Sequence, residues 1–204
     1  MIGVIDYRAG NAPSVGYALE RLGIEHRLVA APEALETCDR VILPGVGAAR
    51  ATLDSLAASG LVAPLTRLVI DERVPFLGIC IGLQVLFEHS AEGETPCLGW
   101  IPGGVQRFDD GTQRVPQIGW NAVRLRRPHP VTARFPDGGH CYFVNSYYAA
   151  PADPGDVLGE TSYGVEFCSI VASLNIVATQ FHAEKSGELG LGILASFATW
   201  DPSC

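Results

Sequence analysis

No C-x-x-C pair occurs in this chain, and no histidine stands at metal-ligand spacing from a cysteine. Neither a zinc site nor a disulfide framework is suggested, and no metal is expected. Cys38, Cys80, Cys97, Cys141, Cys168 and Cys204 are spread out and read as free thiols, which fits a reducing compartment. A basic stripe is missing too. With 14 Lys and Arg against 22 Asp and Glu, the net charge of −8 argues against a phosphate-backbone partner, so no nucleic acid is expected. The short cluster Arg124, Arg126 and Arg127 reads as solvated charge. The N-terminus lacks a basic region leading into a long apolar stretch, and the longest apolar run, around residues 74–87, is too short and interrupted to span a bilayer. Internal repeats, low-complexity tracts and linkers are not visible. These absences predict a soluble, cytoplasmic protein folded as one domain over residues 1–204, with no membrane partner.

The residues present predict an α/β fold. Ile2–Ile5 reads as a buried strand, followed by a helix with Asn11 as its cap, Pro13 in its first turn and Gly23 at its end. Strands at 24–29 and 41–43, helices at 50–59 and 61–72, and an apolar strand before Cys80 continue the alternation. Such alternation predicts a mostly parallel central sheet flanked by helices. After residue 100, Gly, Pro, aromatic and β-branched residues dominate. Antiparallel additions are predicted around 105–108, 120–125 and 140–148, then strands at 165–172 and 176–181 and a helix at 187–199.

Gly78-Ile79-Cys80-Ile81-Gly82 sits between that apolar strand and the helical pattern of Leu83–Phe87. This is the pattern of a nucleophile elbow, in which a strained strand-to-helix turn exposes a reactive side chain. Glycines two positions to either side remove Cβ atoms that would crowd so sharp a turn. The positive end of the following helix would favour thiolate. A buried structural cysteine in a Gly-rich turn would share the pattern.

A thiol nucleophile needs a base, and the base needs an orienting group. His129 lies between prolines, His26 within a strand and His89 at a helix end, where surface or capping roles suffice. His182 stands at the end of the strand Ile176–Phe181, with Glu184 two positions on. In extended backbone the two project to the same side, so the carboxylate would fix the imidazole tautomer while the other ring nitrogen faces Cys80. Strand C-termini gather along one edge of an open parallel sheet, where such sites lie. The backbone N–H of Ile81 and the Gly-rich turn Leu43–Gly47 are candidates for an oxyanion site.

Longer motifs accompany these residues: Asp6–Asn11, Pro44–Gly47, Pro75–Gln84, Leu98–Gly103, Pro116–Asn121, Tyr142–Tyr148 and Gln180–Ser186. Together they resemble the class I (triad) glutamine amidotransferases, and among them the glutaminase subunits of imidazole glycerol phosphate synthase. The resemblance runs nearly end to end. It implies that Cys80 is the nucleophile, His182 the acid/base and Glu184 its orienting carboxylate, with Val46, Gly47 and Ile81 around the oxyanion. It further implies that Gln84, Glu92, Ser146 and Tyr147 hold the head group of L-glutamine. Asn11, Trp120, Tyr142 and Lys185 would face a cyclase (β/α)₈-barrel partner that receives ammonia. No cofactor is implied.

Two positions depart from the family pattern. Asn145 stands where His is usual and cannot titrate, and Ala183 stands where Pro is usual and frees φ beside the base. Three alternatives stay open on the sequence: a glutaminase subunit feeding another acceptor, a stand-alone thiol amidohydrolase, and a non-enzymatic protein with an oxidisable cysteine.

Overall fold

The computed structural model describes residues 1–8 and 11–202. Ala9 and Gly10 of the first motif, and Cys204 of the cysteine set, lie outside the described residues. The first half runs β1 (Ile2–Ile5), α1 (Ala12–Arg21), β2 (His26–Val29), β3 (Arg40–Gly45), α2 (Ala49–Ala58), α3 (Val62–Thr66), β4 (Phe76–Cys80) and α4 (Ile81–Gln84). The second half opens with β5 (His89–Ser90), β6 (Thr95–Pro96), β7 (Gly103–Arg107), β8 (Gln117–Leu125) and β9 (Gly139–Asn145). It ends with β10 (Tyr147–Pro151), β11 (Val157–Tyr163), β12 (Val165–Ser173), β13 (Ile176–Thr179) and α5 (Gly187–Thr199).

The strands form one sheet in the order β2-β1-β3-β4-β13-β12-β10-β7-β5-β6, with β11, β8 and β9 branching from β12. From β2 to β13 all pairings are parallel; β13–β12, β12–β10 and β10–β7 are antiparallel. This is the mixed α/β architecture expected. Every residue of β1, β4 and β13 is buried, which means both faces of the parallel region are covered. That burial explains why these strands read as unbroken apolar runs instead of alternating ones.

Several local expectations are corrected. Asn11 does not cap α1 through its side chain, which turns instead toward Glu184. The helix expected after Cys80 stops after one turn. The carbonyls of Val85, Leu86 and Phe87, which would continue it, accept from the backbone of Leu98, Gly99, Trp100 and Ile101. The helix expected over 61–72 widens from α3 into a π-helical turn at Arg67–Asp71. The strand expected over 140–148 is broken at Ser146, whose carbonyl accepts from Phe108 N. β11 was not expected; its Gly159, Glu160, Thr161 and Ser162 carry little apolar signal, and pairing along β12 is what makes it a strand. His129 does cap a short helical turn, accepting from Val131 N at 3.2 Å. No single helix among the described residues is long and apolar enough to cross a membrane.

Candidate active site

Cys80 ends β4 in the parallel region of the sheet and takes φ +56°, ψ −106°. A non-glycine residue pays roughly 1–3 kcal/mol to sit in so sparsely populated a region. The flanking glycines are required by contact. A Cβ on Gly82 would fall on the Leu43 carbonyl oxygen, and one on Gly78 on the Gly82 carbonyl. The turn is tight because β3 and α4 press together around it. With only four residues, α4 accumulates little dipole behind Cys80.

Sheet register assembles the rest. Gly45 pairs with Cys80 on one side of β4, and Thr179 pairs with Ile79 on the other. β3 thus delivers the Pro44–Gly47 turn, and β13 delivers Gln180 and then His182. His182 Nδ1 lies 2.8 Å from Glu184 Oε1, with both side chains buried at 4% and 1% exposure. That leaves Nε2 for Cys80, which lines the same cavity as the ring. Burial opposes charge on the ring, but hydrogen bonds and charge from Cys80 and Glu184 outweigh it and push the imidazole up to about 10.

The His182 backbone is held as firmly as its ring. Its N–H donates to Tyr142 C=O at 3.0 Å, and its carbonyl accepts from Ser186 Oγ at 2.7 Å and Lys185 N at 3.0 Å. These bonds hold the segment without a proline at 183. Ala183 itself is fully buried in the turn Ala183–Lys185.

A cavity of about 280 Å³ opens at this point. Cys80, His182, Val46, Gly47 and Ile81 line it, as do Gln84, Glu92, Ser146 and Tyr147. Pro116, Val144 and Asn145 complete the wall without having been assigned to it. Gln84 Nε2 and Asn145 Nδ2 both donate to Tyr147 C=O, at 3.1 and 3.0 Å. Their oxygens, Gln84 Oε1 and Asn145 Oδ1, are buried with no partner among the described residues. Two spare acceptors on cavity-lining residues suit a ligand rich in N–H donors. Glu92 accepts from Ala49 N at 2.8 Å and so caps α2, which has no side-chain cap of its own.

Tyr7 shapes the Pro44–Gly47 turn, a role its motif did not disclose. Burial raises its phenol pKa, while hydrogen bonds from Thr52 and the Val46 backbone lower it. A Cβ on Gly45 would lie 2.7 Å from the Tyr7 hydroxyl, so the phenol packs directly against the turn. A larger cavity of about 670 Å³, at the opposite end of β3 and β4, has Arg40, Arg73 and Trp200 in its wall but no cysteine, serine or histidine.

The sequence pattern of the family described as Glutamine amidotransferase class-I matches residues 3–198. The chain belongs to this family. It is 48% identical over 198 residues to the imidazole glycerol phosphate synthase subunit HisH of Dehalococcoides mccartyi, spanning 97% of this chain and 96% of that one. It is 45% identical over 204 residues to the HisH subunit of Chloroflexus aurantiacus, spanning 98% and 96%. A crystal structure of a glutamine amidotransferase superposes with a TM-score of 0.76 at 21% identity, over 97% of this chain and 99% of the other.

Beside the Cys80 cavity lies an apolar surface. On the hairpin of β8 and β9, Ile118 pairs with Val144 and Trp120 with Tyr142. Ile118, Trp120 and Val144 are 62%, 57% and 38% exposed, and the Trp120 and Tyr142 rings stand 6.0 Å apart. By residue type Trp120 and Tyr142 would pass for core; here Trp120 faces out and Tyr142 is half-buried. Tyr142 borders the His182–Ser186 segment, where Lys185 is exposed, and Asn11 contacts Glu184 there. The four residues thus adjoin one another at the rim.

Proposed function

We propose that this chain is the glutaminase subunit of an imidazole glycerol phosphate synthase acting in histidine biosynthesis. It hydrolyses L-glutamine to glutamate and ammonia, and a cyclase (β/α)₈-barrel partner uses the ammonia to form imidazole glycerol phosphate and aminoimidazole carboxamide ribotide. The observation that carries this reading is the convergence of Cys80, His182 and Glu184 at the ends of adjacent strands β4 and β13. The near-full-length similarity to proteins named as HisH subunits supports the choice of acceptor and the need for a partner.

The chemistry follows from the groups present. The Cys80 sulfur attacks the side-chain carboxamide, and the carbonyl oxygen takes the charge in front of the Ile81 N–H. His182, cationic at neutral pH, gives its Nε2 proton to the departing nitrogen, so ammonia leaves and a γ-glutamyl thioester remains. The neutral ring then takes a proton from water, hydroxide adds to the thioester, and glutamate and the sulfur are released. Glu184 holds the tautomer throughout. Gln84 Oε1 and Asn145 Oδ1 accept from the substrate's amide or ammonium N–H groups, with Ser146 and Tyr147 beside them. Glu92, held by the Ala49 N–H at the start of α2, lines one end of the cavity.

The partner's role has a physical basis. Val46 and Gly47 would contribute to the oxyanion site, and the turn that carries them packs against the buried Tyr7 phenol. The free chain is slow until docking at Asn11, Trp120, Tyr142 and Lys185 rearranges that turn. Direct delivery protects ammonia from protonation in bulk water, so the subunits work as a heterodimer in the cytoplasm. Residues 1–204 act as one domain, and the cyclisation itself belongs to the partner.

Glutamine turnover with and without a barrel subunit and its nucleotide tests the reading. Turnover rises steeply with both present, and Cys80→Ala loses it while ammonia-dependent synthesis continues. Glutamine use retained by Cys80→Ala removes Cys80 from the mechanism. Full activity of the free chain removes the gating.

A further inference from the structure

The Cys80 sulfur has a neighbour of fixed polarity outside the triad. Gln180 is fully buried, and its Nε2 lies 3.8 Å from Sγ. We propose that Gln180 is a further catalytic residue, whose side-chain N–H donates to the sulfur and stabilises the thiolate. The proposal rests on the reading of the chain as a thiol glutaminase.

A side-chain amide beside a sulfur can present either its NH₂ or its oxygen, and only the surrounding network decides which. Here the network starts from a group with no ambiguity. The Tyr147 carbonyl can only accept, so the Gln84 group 3.1 Å from it is the NH₂. The same NH₂ donates to Gln180 Oε1 at 3.1 Å. With its oxygen facing Gln84, Gln180 must turn its own NH₂ to Cys80. One backbone carbonyl thereby orients two buried amides in series. Turning Gln84 over would set oxygen against oxygen, and turning Gln180 over would set NH₂ against NH₂, in a dry interior where an unmade hydrogen bond is most costly.

Sheet register puts Gln180 in place. Thr179 pairs with Ile79, so the next residue of each chain lies side by side. The Gln180 backbone is tied by its N–H to Ser169 C=O at 2.9 Å. A separation of 3.8 Å is long for N–H···S, as catalytic contacts often are before substrate binds, and it tightens when the sulfur carries charge. Sulfur is charged before attack and again when the thioester breaks. The donor therefore favours both the starting thiolate and its departure in the second half of the reaction.

Stabilising a thiolate has two opposed effects. Its population rises, while its intrinsic nucleophilicity falls with a Brønsted coefficient of about 0.5. If the donor changes the population about tenfold, as one charge-assisted hydrogen bond does, the net rate changes about threefold where the thiol form dominates. Where all the sulfur is already thiolate, losing the donor leaves the rate the same or higher.

The test is the pH dependence of Cys80 alkylation by iodoacetamide, resolved from the other cysteines by peptide mass, in the folded chain and in Gln180→Met. The variant should react about threefold more slowly on the acid limb and at least as fast on the alkaline plateau. Superimposed profiles, or an equal fall on both limbs as altered packing would produce, overturn the proposal. If Gln180→Met does not fold, Gln84→Met removes the lock and leaves Gln180 in place; it should change the profile in the same sense but less. In the unsubstituted chain, the Gln180 side-chain amide signals should move as Cys80 ionises, and static signals overturn the proposal. Glutamine is absent from these measurements, so the two readings fail separately. The expected profile without partner-dependent glutamine use sinks the glutaminase reading alone. Glutamine use with superimposed profiles sinks the role of Gln180 alone.

Discussion

Asn11 Nδ2 donates to Glu184 Oε1 at 2.6 Å, onto the same oxygen that holds His182 Nδ1. The start of α1 is thereby tied to the carboxylate that orients the base, across 173 residues of sequence. A residue assigned to the partner face is thus also a support of the triad. Replacing Asn11 by Ala should lower kcat with the partner present by about tenfold, the worth of one hydrogen bond to a charged group. KM for glutamine should hardly move. A KM effect without a kcat effect, or a change confined to partner affinity, would remove Asn11 as a positioning residue.

Gly82 should tolerate no side chain. An added Cβ meets the backbone carbonyl of Leu43, which is held in the β3–β4 ladder and cannot rotate away. Gly82→Ala should cost ~3 kcal/mol or more in denaturant unfolding and lower the yield of folded chain. A variant as stable as its parent would show that β3 and α4 are not in contact as described.

His182 links stability to pH. Its pKa, raised from the ordinary 6.5 to about 10, means that the folded chain holds the proton more tightly than the unfolded chain. The stabilisation is fully present below about pH 6.5 and is lost as pH rises toward 10. The melting temperature should therefore fall over that interval, and His182→Gln should flatten the fall. Parallel curves for parent and variant would mean that the ring carries no extra proton affinity when folded.

Trp120 is exposed on the β8–β9 hairpin, so its truncation should act on association and not on folding. Trp120→Ala should weaken binding of the barrel partner by about 30-fold, roughly 2 kcal/mol, with an unchanged melting temperature. Lys185, the only lysine in the chain, offers an independent readout. An amine-reactive label should reach it in the free chain and be excluded in the complex. Equal labelling in both would place the interface elsewhere.

Much of the parallel half was legible in the sequence because burial on both faces leaves apolar runs that stop at the strand ends. β1, β3, β4 and β13 announce themselves in this way, and α5 was legible to the residue. The elements that were misjudged depend on partners far away in the chain. α4 ends early because Leu98–Ile101 take its carbonyls, and β11 exists because β12 lies beside it. Gln180, Tyr7 and Asn145 fall inside the family motifs, but nothing in those motifs assigns them a part in the site. Their roles come from a neighbour's carbonyl, a turn's backbone or a cavity wall.

By itself the sequence determined the chemistry on offer: a strained thiol between two glycines, an imidazole with a carboxylate two residues on, and the strands that carry them. Such local features follow from steric limits and side-chain type within a few residues. Only the tertiary structure decided that β13 lies beside β4, that Asn11 reaches Glu184 and that the Tyr147 carbonyl orients two amides. Those relations join residues 63 to 173 positions apart, and only the folded register of the sheet makes them neighbours.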